Sequence, residues 1–317
     1  MKVSIVTSLI ASALLAGGCK KKDDTGSPGP GPSAWLVGAD GLMAAVETSG
    51  TLGPGYDLDS DHDLLGIACR GLDTAFVVGE LGTFLRTFDG GESWDVIDLD
   101  TTRTLRSVAA ADDVVYAGGE GLLLRSPDRG TTWASLPVDP SAQWNAVTTG
   151  HGGGALALAV SGGVWRHDAV LGSFTSVASL AGARVVALSH DGFHAVVAGA
   201  GRSLLRSDDG GVTWRSLDLG RDVDLHDAWV TSAGETIAVG ADGIMVRVSA
   251  SDSVATSTIA TGTLRTIHIN GRGIGLAAGD DGHVVSTEDG GVTWVQLPLG
   301  IERDIFAVDE VAGDGHL

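Results

Sequence analysis

Beyond residue 22 the chain has no lysine. Its four lysines, Lys2, Lys20, Lys21 and Lys22, precede every acidic residue, and 16 arginines then face 40 acids, a formal balance of −24. A surface of that sign repels phosphate, so nucleic acid is excluded as a partner. Cysteine is nearly absent: Cys19 and Cys69 are the only two, so no disulfide framework holds the fold and stability must come from a core. Tyrosine is equally scarce, at Tyr56 and Tyr116. No segment carries a capped helical period. The single long apolar run, residues 3–16, is too short to span a bilayer comfortably. What is abundant is glycine, 48 residues in 317, with 43% apolar residues. Many short strands joined by tight turns fit that mix.

The N-terminal run has the form of a secretory signal, Lys2 and then apolar residues ending in Gly17-Gly18-Cys19. A Cys after small residues resembles a bacterial lipobox, although Ala16 fills the slot where Leu is usual. The implied division is a signal peptide over 1–18 and a tether over 19–33 beginning at a lipidated Cys19. A globular body over 34–317 follows. The tether KKKDDTGSPGPGPS has no apolar face to bury and reads as a flexible stalk. The lipid would make the membrane one partner and place the protein in the bacterial cell envelope. Lys20 and Lys21, where inner-membrane retention would use Asp, favour the outer membrane.

Self-comparison organises the body. A phrase of two apolar residues, Gly-x-x-Gly, apolar residues and Arg-Ser recurs: FVVGELGTFLRT from Phe76, VYAGGEGLLLRS from Val115, LAVSGGVWRH from Leu158, VVAGAGRSLLRS from Val196, IAVGADGIMVRV from Ile237 and LAAGDDGHVVST from Leu276. A further copy, WLVGADGLMAAV, opens at Trp35. The apolar runs preceding these phrases start at Leu64, Leu105, Trp144, Arg184, Leu225, Leu264 and Asp304, spaced 41, 39, 40, 41, 39 and 40 residues. Each unit reads as four short strands bounded by Gly or Asp. The expected fold is all-β: a seven-bladed β-propeller of four-stranded blades. The last run lacks what the first supplies, so the ring is expected to close by a composite blade from both termini.

Four units carry a second signature: TFDGGESW at Thr87, SPDRGTTW at Ser126, SDDGGVTW at Ser207 and TEDGGVTW at Thr287. It resembles the Asp-box of bacterial neuraminidase-type (BNR) repeats. Asp and hydroxyl side chains can bond turn amides, Gly takes the left-handed position and Trp packs back on the sheet. Asp89, Trp94, Asp128, Trp133, Asp209, Trp214, Asp289 and Trp294 are therefore expected to be structural, since an active site needs one constellation and not four copies. Three units lack the box, and Tyr56 and Phe174 stand near the Trp slot in two of them. The wording VVGELGTFLRTFDGGESW is also similar to the photosystem II stability and assembly factor family, which are seven-bladed propellers and in cyanobacteria lipoproteins. The resemblance spans all the repeats and implies binding of partner polypeptides. It departs in charge, because that family carries an arginine-rich patch and this body is acidic.

No catalytic residues are assigned. Sialidases share the Asp-box but need an arginine triad, a Tyr nucleophile and an acidic partner, and Tyr116 sits where other units have Val. No cofactor motif is present. Asp57, Asp59, Asp61 and Asp63 alternate as in a calcium loop, but no Gly marks the turn and the twelfth position is Ala68. No metal site is expected, and the nine His have no ligand spacing. Cys69 reads as a small buried group.

The turns between second and third strands present Asp40, Glu80, Glu120, Asp242, Asp280 and Asp281. Arg103, Arg106, Arg184, Arg221, Arg265 and Arg303 lie at or just before innermost strands. Together they form a candidate binding face, or a self-neutralised network if each Arg merely pairs with an acid. The preferred reading is a non-catalytic scaffold that binds a protein or peptide. The alternative is a glycan-binding or glycoside-hydrolysing propeller of the sialidase-like class, with Trp144, Trp165 and Trp229 as stacking platforms. A surface-displayed spacer that binds nothing is the third.

Overall fold

The repeated phrase folds as two antiparallel strands, and the run before it as the innermost strand of the same sheet. In the computed structural model, which describes residues 33–47, 49–53 and 61–310, the unit from Leu64 shows the pattern. Leu64–Arg70 pairs with Thr74–Gly79, which pairs with Phe84–Thr87 and then Asp95–Val96. Four sheets have this four-stranded form, and the architecture is an all-β propeller. The signal, the tether up to Pro32 with Cys19, and Tyr56, Asp57 and Asp59 lie outside the described residues.

The expected count and closure need correction. Among the described residues there are six sheets, not seven. The reason lies in Arg215–Val230, a strand of 16 residues that runs unbroken from one unit into the next. Both of its arms pair with Ala195–Ser207, through Ser203↔Asp218 on one side and Ala200↔Asp224 on the other. Two units thereby share one six-stranded sheet. Nor do the two ends build a complete four-stranded closing blade. Ile305–Glu310, Ala34–Gly38 and Met43–Val46 form a sheet of three strands, and among the described residues that follow only the bridge Val46↔Leu52 extends it.

The innermost strands, Leu64–Arg70, Leu105–Ala111, Trp144–Thr149, Ala183–Leu188, Arg215–Val230, Leu264–Ile269 and Ile305–Glu310, each touch the next around a central channel, and the last touches the first. Apolar side chains fill the wedges between neighbouring sheets. Phe76 and Phe84, for example, pack against Leu105, Val115 and Leu124 of the following unit. Trp35 meets Trp94 edge-on at 5.6 Å, joining the first described strand to the neighbouring sheet.

The Gly that ends five of the second strands has one cause. A Cβ on Gly119 would sit 1.9 Å from the Thr104 carbonyl oxygen, and Gly38, Gly79, Gly240 and Gly279 meet equivalent carbonyls at 2.0, 2.4, 1.9 and 2.0 Å. These positions are extended or near it, so space and not φ demands Gly. The register shifts there, between Leu105 and Ser107 in the same unit, and the bulge brings two backbones together. Gly119→Ala should therefore destabilise the protein by about 1–3 kcal/mol, the usual cost of overpacking. Urea unfolding with an unshifted midpoint would refute this.

Candidate functional site at the channel mouth

Strand direction defines two faces. Innermost strands begin on the face that holds the acidic turns and end on the face that holds the Asp-box turns. The channel between them encloses about 740 Å³.

On the Asp-box face the motif is closed on itself. Thr87 Oγ1 donates to Asp89 Oδ1 at 2.7 Å and accepts the Gly91 N–H at 3.0 Å. Ser93 gives its N–H to Asp89 Oδ1 and its hydroxyl to Oδ2, at 2.9 and 2.6 Å. Asp128, Asp209 and Asp289 repeat the arrangement. Trp133, Trp214 and Trp294 donate Nε1–H to the carbonyls of Gly130, Gly211 and Gly291, at 3.2, 3.0 and 3.1 Å. The Thr293 hydroxyl and N–H hold the Asp289 carboxyl down to about 2. Carboxylates saturated by their own turn have nothing left to offer a substrate. Ser126, fully buried, donates to Asp128 and accepts from Gly130. Ser126→Ala orphans that amide and should cost about 1–3 kcal/mol. An unchanged melting temperature would argue against the closed motif.

On the opposite face the structure brings most of the candidate residues together. Asp40, at φ 52°, gives its N–H to Asp63 Oδ1 at 3.1 Å, and its carbonyl accepts from Arg303 at 3.2 Å. The Glu80 carboxylate accepts the Asp63 N–H at 3.3 Å. Arg106 pairs with Glu120 at 3.4 Å, and Arg103 caps the Glu120 and Gly121 carbonyls. Arg184 grips Asp224 through Nε and Nη2 at 2.7 and 3.1 Å. Arg265 bonds Asp280 and reaches Asp304 at 3.7 Å, while Asp304 accepts the Asp281 N–H at 3.0 Å. Asp242, at φ 55°, and Arg221 line a side cleft with Asp222 and Asp224. Arg106, Arg184 and Arg265 occupy the same place in alternate innermost strands and line the mouth of the channel, with Asn145 and His226 at that place in the strands between them.

Deeper in the channel is a cluster that sequence reasoning missed. His268 Nδ1 lies 2.7 Å from Asp309 Oδ1, and Asp309 Oδ2 accepts the Cys69 N–H at 2.7 Å. Asn270 donates to Glu310 at 2.6 Å. Asp227 accepts the N–H groups of Ala228 and Ile267, at 2.8 and 2.9 Å. Enclosure alone would lower His268, but Asp309, Glu310 and Asp227 raise it to about 9. Burial lifts Asp227 to about 6 and Glu310 to about 7 against the donors that face them. The Cys69 thiol, free and enclosed beside Asp309, is pushed well up. Position three of the innermost run, where Ser107, Asp227 and Thr266 recur, was the available signal.

The tryptophans proposed as sugar platforms are otherwise engaged. Trp144 is 2% exposed and packs edge-on against Phe174 at 5.6 Å, while Trp165 stacks on Phe174 at 5.3 Å. Trp229 alone of the three reaches the channel wall. Tyr116 is fully buried, its hydroxyl 2.7 Å from the Gly153 carbonyl. Among the described residues no His, Cys, Asp and Glu group of three or more is placed to hold a metal, and no helix is long and apolar enough to cross a membrane.

The cluster's titration has a sign. All three groups bind protons more tightly in the folded state, so each contributes stability that is complete below its unfolded pKa and lost above its folded one. The carboxyl contributions fade between about pH 4 and 7, and that of His268 between about 6.5 and 9. Thermal stability should therefore fall as pH rises from 5 to 9.5. His268→Gln should flatten the upper part of the fall, and parallel curves for the two proteins would contradict the assignment.

Comparison with known proteins agrees with this geometry. Residues 54–169 match the profile of the photosystem II assembly factor YCF48 family. Photosystem II assembly lipoprotein Ycf48 of Synechococcus sp. (strain CC9902) is 24% identical over 300 residues, covering 88% of this chain and 89% of that protein. Among solved structures, YCF48 bound to D1 peptide superimposes with a TM-score of 0.61 at 20% identity, over 75% of this chain and 83% of the other. YCF48 from Cyanidioschyzon merolae gives 0.60 at 18%, over 76% and 87%. The WD40 propeller domain of Doa1 gives 0.64 at 16%, over 89% and 90%, so the fold is shared beyond one family. The chain is a β-propeller that is similar to the photosystem II assembly factors, with the family profile matching residues 54–169.

Proposed function

We propose that the protein is a non-catalytic scaffold of the cell envelope, anchored by lipid on Cys19, that binds a protein or peptide at the mouth ringed by Arg106, Arg184 and Arg265. The observation that carries this reading is the state of the charges there. Every one of these arginines is paired, yet each pair is part-exposed beside an open channel. Exposed pairs are worth at most about 1 kcal/mol, so a partner's own charges can replace one member at little cost. A buried pair would resist such exchange. The mixture of signs suits an extended polypeptide carrying both, and a similar propeller has been solved with a peptide bound. The relative that is named a lipoprotein supports the anchor.

Capture of envelope proteins on the immobilised chain tests the reading. Arg106→Glu with Arg184→Glu and Arg265→Glu should lower recovery of the bound polypeptide at least tenfold. Reversal of Glu80, Glu120 and Asp242 to Arg should do the same. If both triple variants melt normally and retain every partner, the mouth is not the binding face.

A further inference from the structure

The exposed apolar side chains are not scattered. Of the twelve large ones among the described residues, Leu72, Phe88, Val170, Leu171, Phe193, Val212, Ile274 and Val292 lie on the Asp-box face. Only Leu81 and Val160 lie on the acidic-turn face, while Leu52 sits in an isolated bridge to Val46 and Val295 on an outer strand. Most of the eight come in pairs, one from a first hairpin turn and one from the adjoining Asp-box. The Asp73 carbonyl accepts the Gly90 N–H beside Leu72 and Phe88, and the Phe193 carbonyl accepts the Gly210 N–H beside Val212. Gly273 and Gly290 join Ile274 to Val292 in the same way. Where the box is missing, its turn carries Val170 and Leu171, 91% and 77% exposed.

The motif does not require these residues. The box position of Val212 and Val292 is Glu92 and Thr131 in the other two copies, so a polar side chain serves the turn equally well. Scattered single exposed apolar groups need no explanation, but a bias of eight to two between faces does.

The chain also enters on this face. Ala34 pairs with Glu310, the last residue of its innermost strand, and Trp35 abuts Gly91 of an Asp-box. Ser33 bonds Val46 at the same end of the sheet. From there to Cys19 is 14 residues, at most about 50 Å of chain.

We infer that the Asp-box face rests against the lipid headgroups, with the paired turn residues as shallow apolar contacts and the channel mouth turned away from the membrane. This rests on the lipid anchor at Cys19. A tether that short holds the body at high local concentration over the bilayer, so weak contacts suffice to choose which face turns down. Phe, Leu, Ile and Val suit the boundary between headgroup and acyl chain. The charges beside them are largely satisfied locally. Arg206 and Arg215 bridge Asp208 and Asp252, Arg129 pairs with Asp113 at 3.6 Å, and the Asp-box carboxylates are closed within their turns. Zwitterionic phosphatidylcholine is therefore the surface that fits this face, since among its described residues no unpaired basic patch calls for anionic lipid.

The test separates orientation from anchoring. The chain from Cys19 onward is coupled through that thiol to a maleimide-bearing lipid and placed on phosphatidylcholine vesicles containing a photoactivatable phosphatidylcholine. Crosslinks are mapped by peptide mass spectrometry. Peptides containing Leu72, Val170, Phe193, Val212 and Val292 should carry at least five times the crosslinks of those containing Glu80, Val160 and Asp242. A variant with Val170, Leu171, Phe193, Val212 and Val292 all changed to Asp should lose that bias while melting as before. Equal labelling of the two faces, or crosslinks joining protein to protein in place of lipid, overturns the orientation. Because the lipid is attached chemically, that failure is independent of whether cells acylate Cys19, which intact-mass measurement of the native protein decides.

Discussion

The structure depends on how the innermost strands are joined. Within a sheet every strand has backbone partners, but successive innermost strands of different sheets do not pair by backbone. Their inward edges would leave amides unsatisfied at the channel wall, at a cost comparable to a lost hydrogen bond for each. Side chains fill the gap. The Val147 N–H donates to Ser107 Oγ at 3.1 Å, Ile267 to Asp227 at 2.9 Å, and Val308 to Thr266 Oγ1 at 3.1 Å. Cys69 donates to Asp309 where the last innermost strand meets the first. These short polar residues lie along the channel wall, and each has a side-chain oxygen engaged by the neighbouring strand.

That stitching explains why the buried ionisable groups gather where they do. Asp227, His268, Asp309 and Glu310 lie on the last three innermost strands, next to the junction between the two ends of the described chain. An uncompensated carboxylate in that wall would be expensive, and the His268–Asp309 pair together with Asn270 supplies the compensation. The shifted titrations are thus consequences of holding strands together. Perturbed groups in a cavity invite a catalytic reading, but here each carboxylate is already bonded to backbone or to a neighbouring side chain.

Much of this was legible in the sequence, because the repeating chemistry is local. The four hydroxyl-x-Asp motifs bond within eight residues, and the glycine that ends five of the second strands answers a clash inside its own sheet. The sheet count was not legible. Whether the segment after Trp214 breaks or runs on depends on its pairing with Ala195–Ser207 from both sides, which no local signal specifies. The stitching was hidden for a similar reason. Counted in register from Leu64, Leu105, Trp144, Ala183, Leu225, Leu264 and Ile305, the third residue is Gly66, Ser107, Ala146, Val185, Asp227, Thr266 and Ala307 in turn, so the repeat blurs where function in the fold varies. The rim pairs were foreseen only as one of two alternatives, since Arg184 and Asp224 are 40 residues apart and only the ring makes them neighbours.

The same ring separates two kinds of charge by depth. At the channel wall, a carboxylate that lost its partner would stay buried and unpaid, so those contacts are fixed once the chain has folded. At the mouth, Arg106, Arg184 and Arg265 keep between about a third and a half of their side-chain surface in water, and water can cover either member of a pair that opens. Exchange is therefore inexpensive only at the rim. A propeller built this way can change its partners there without disturbing the bonds that hold its strands, because the two sets share no residue. The acidic excess of the body then acts at longer range. Under the proposed binding role it would repel anionic partners before contact and leave the rim arginines as the few places for an acidic group.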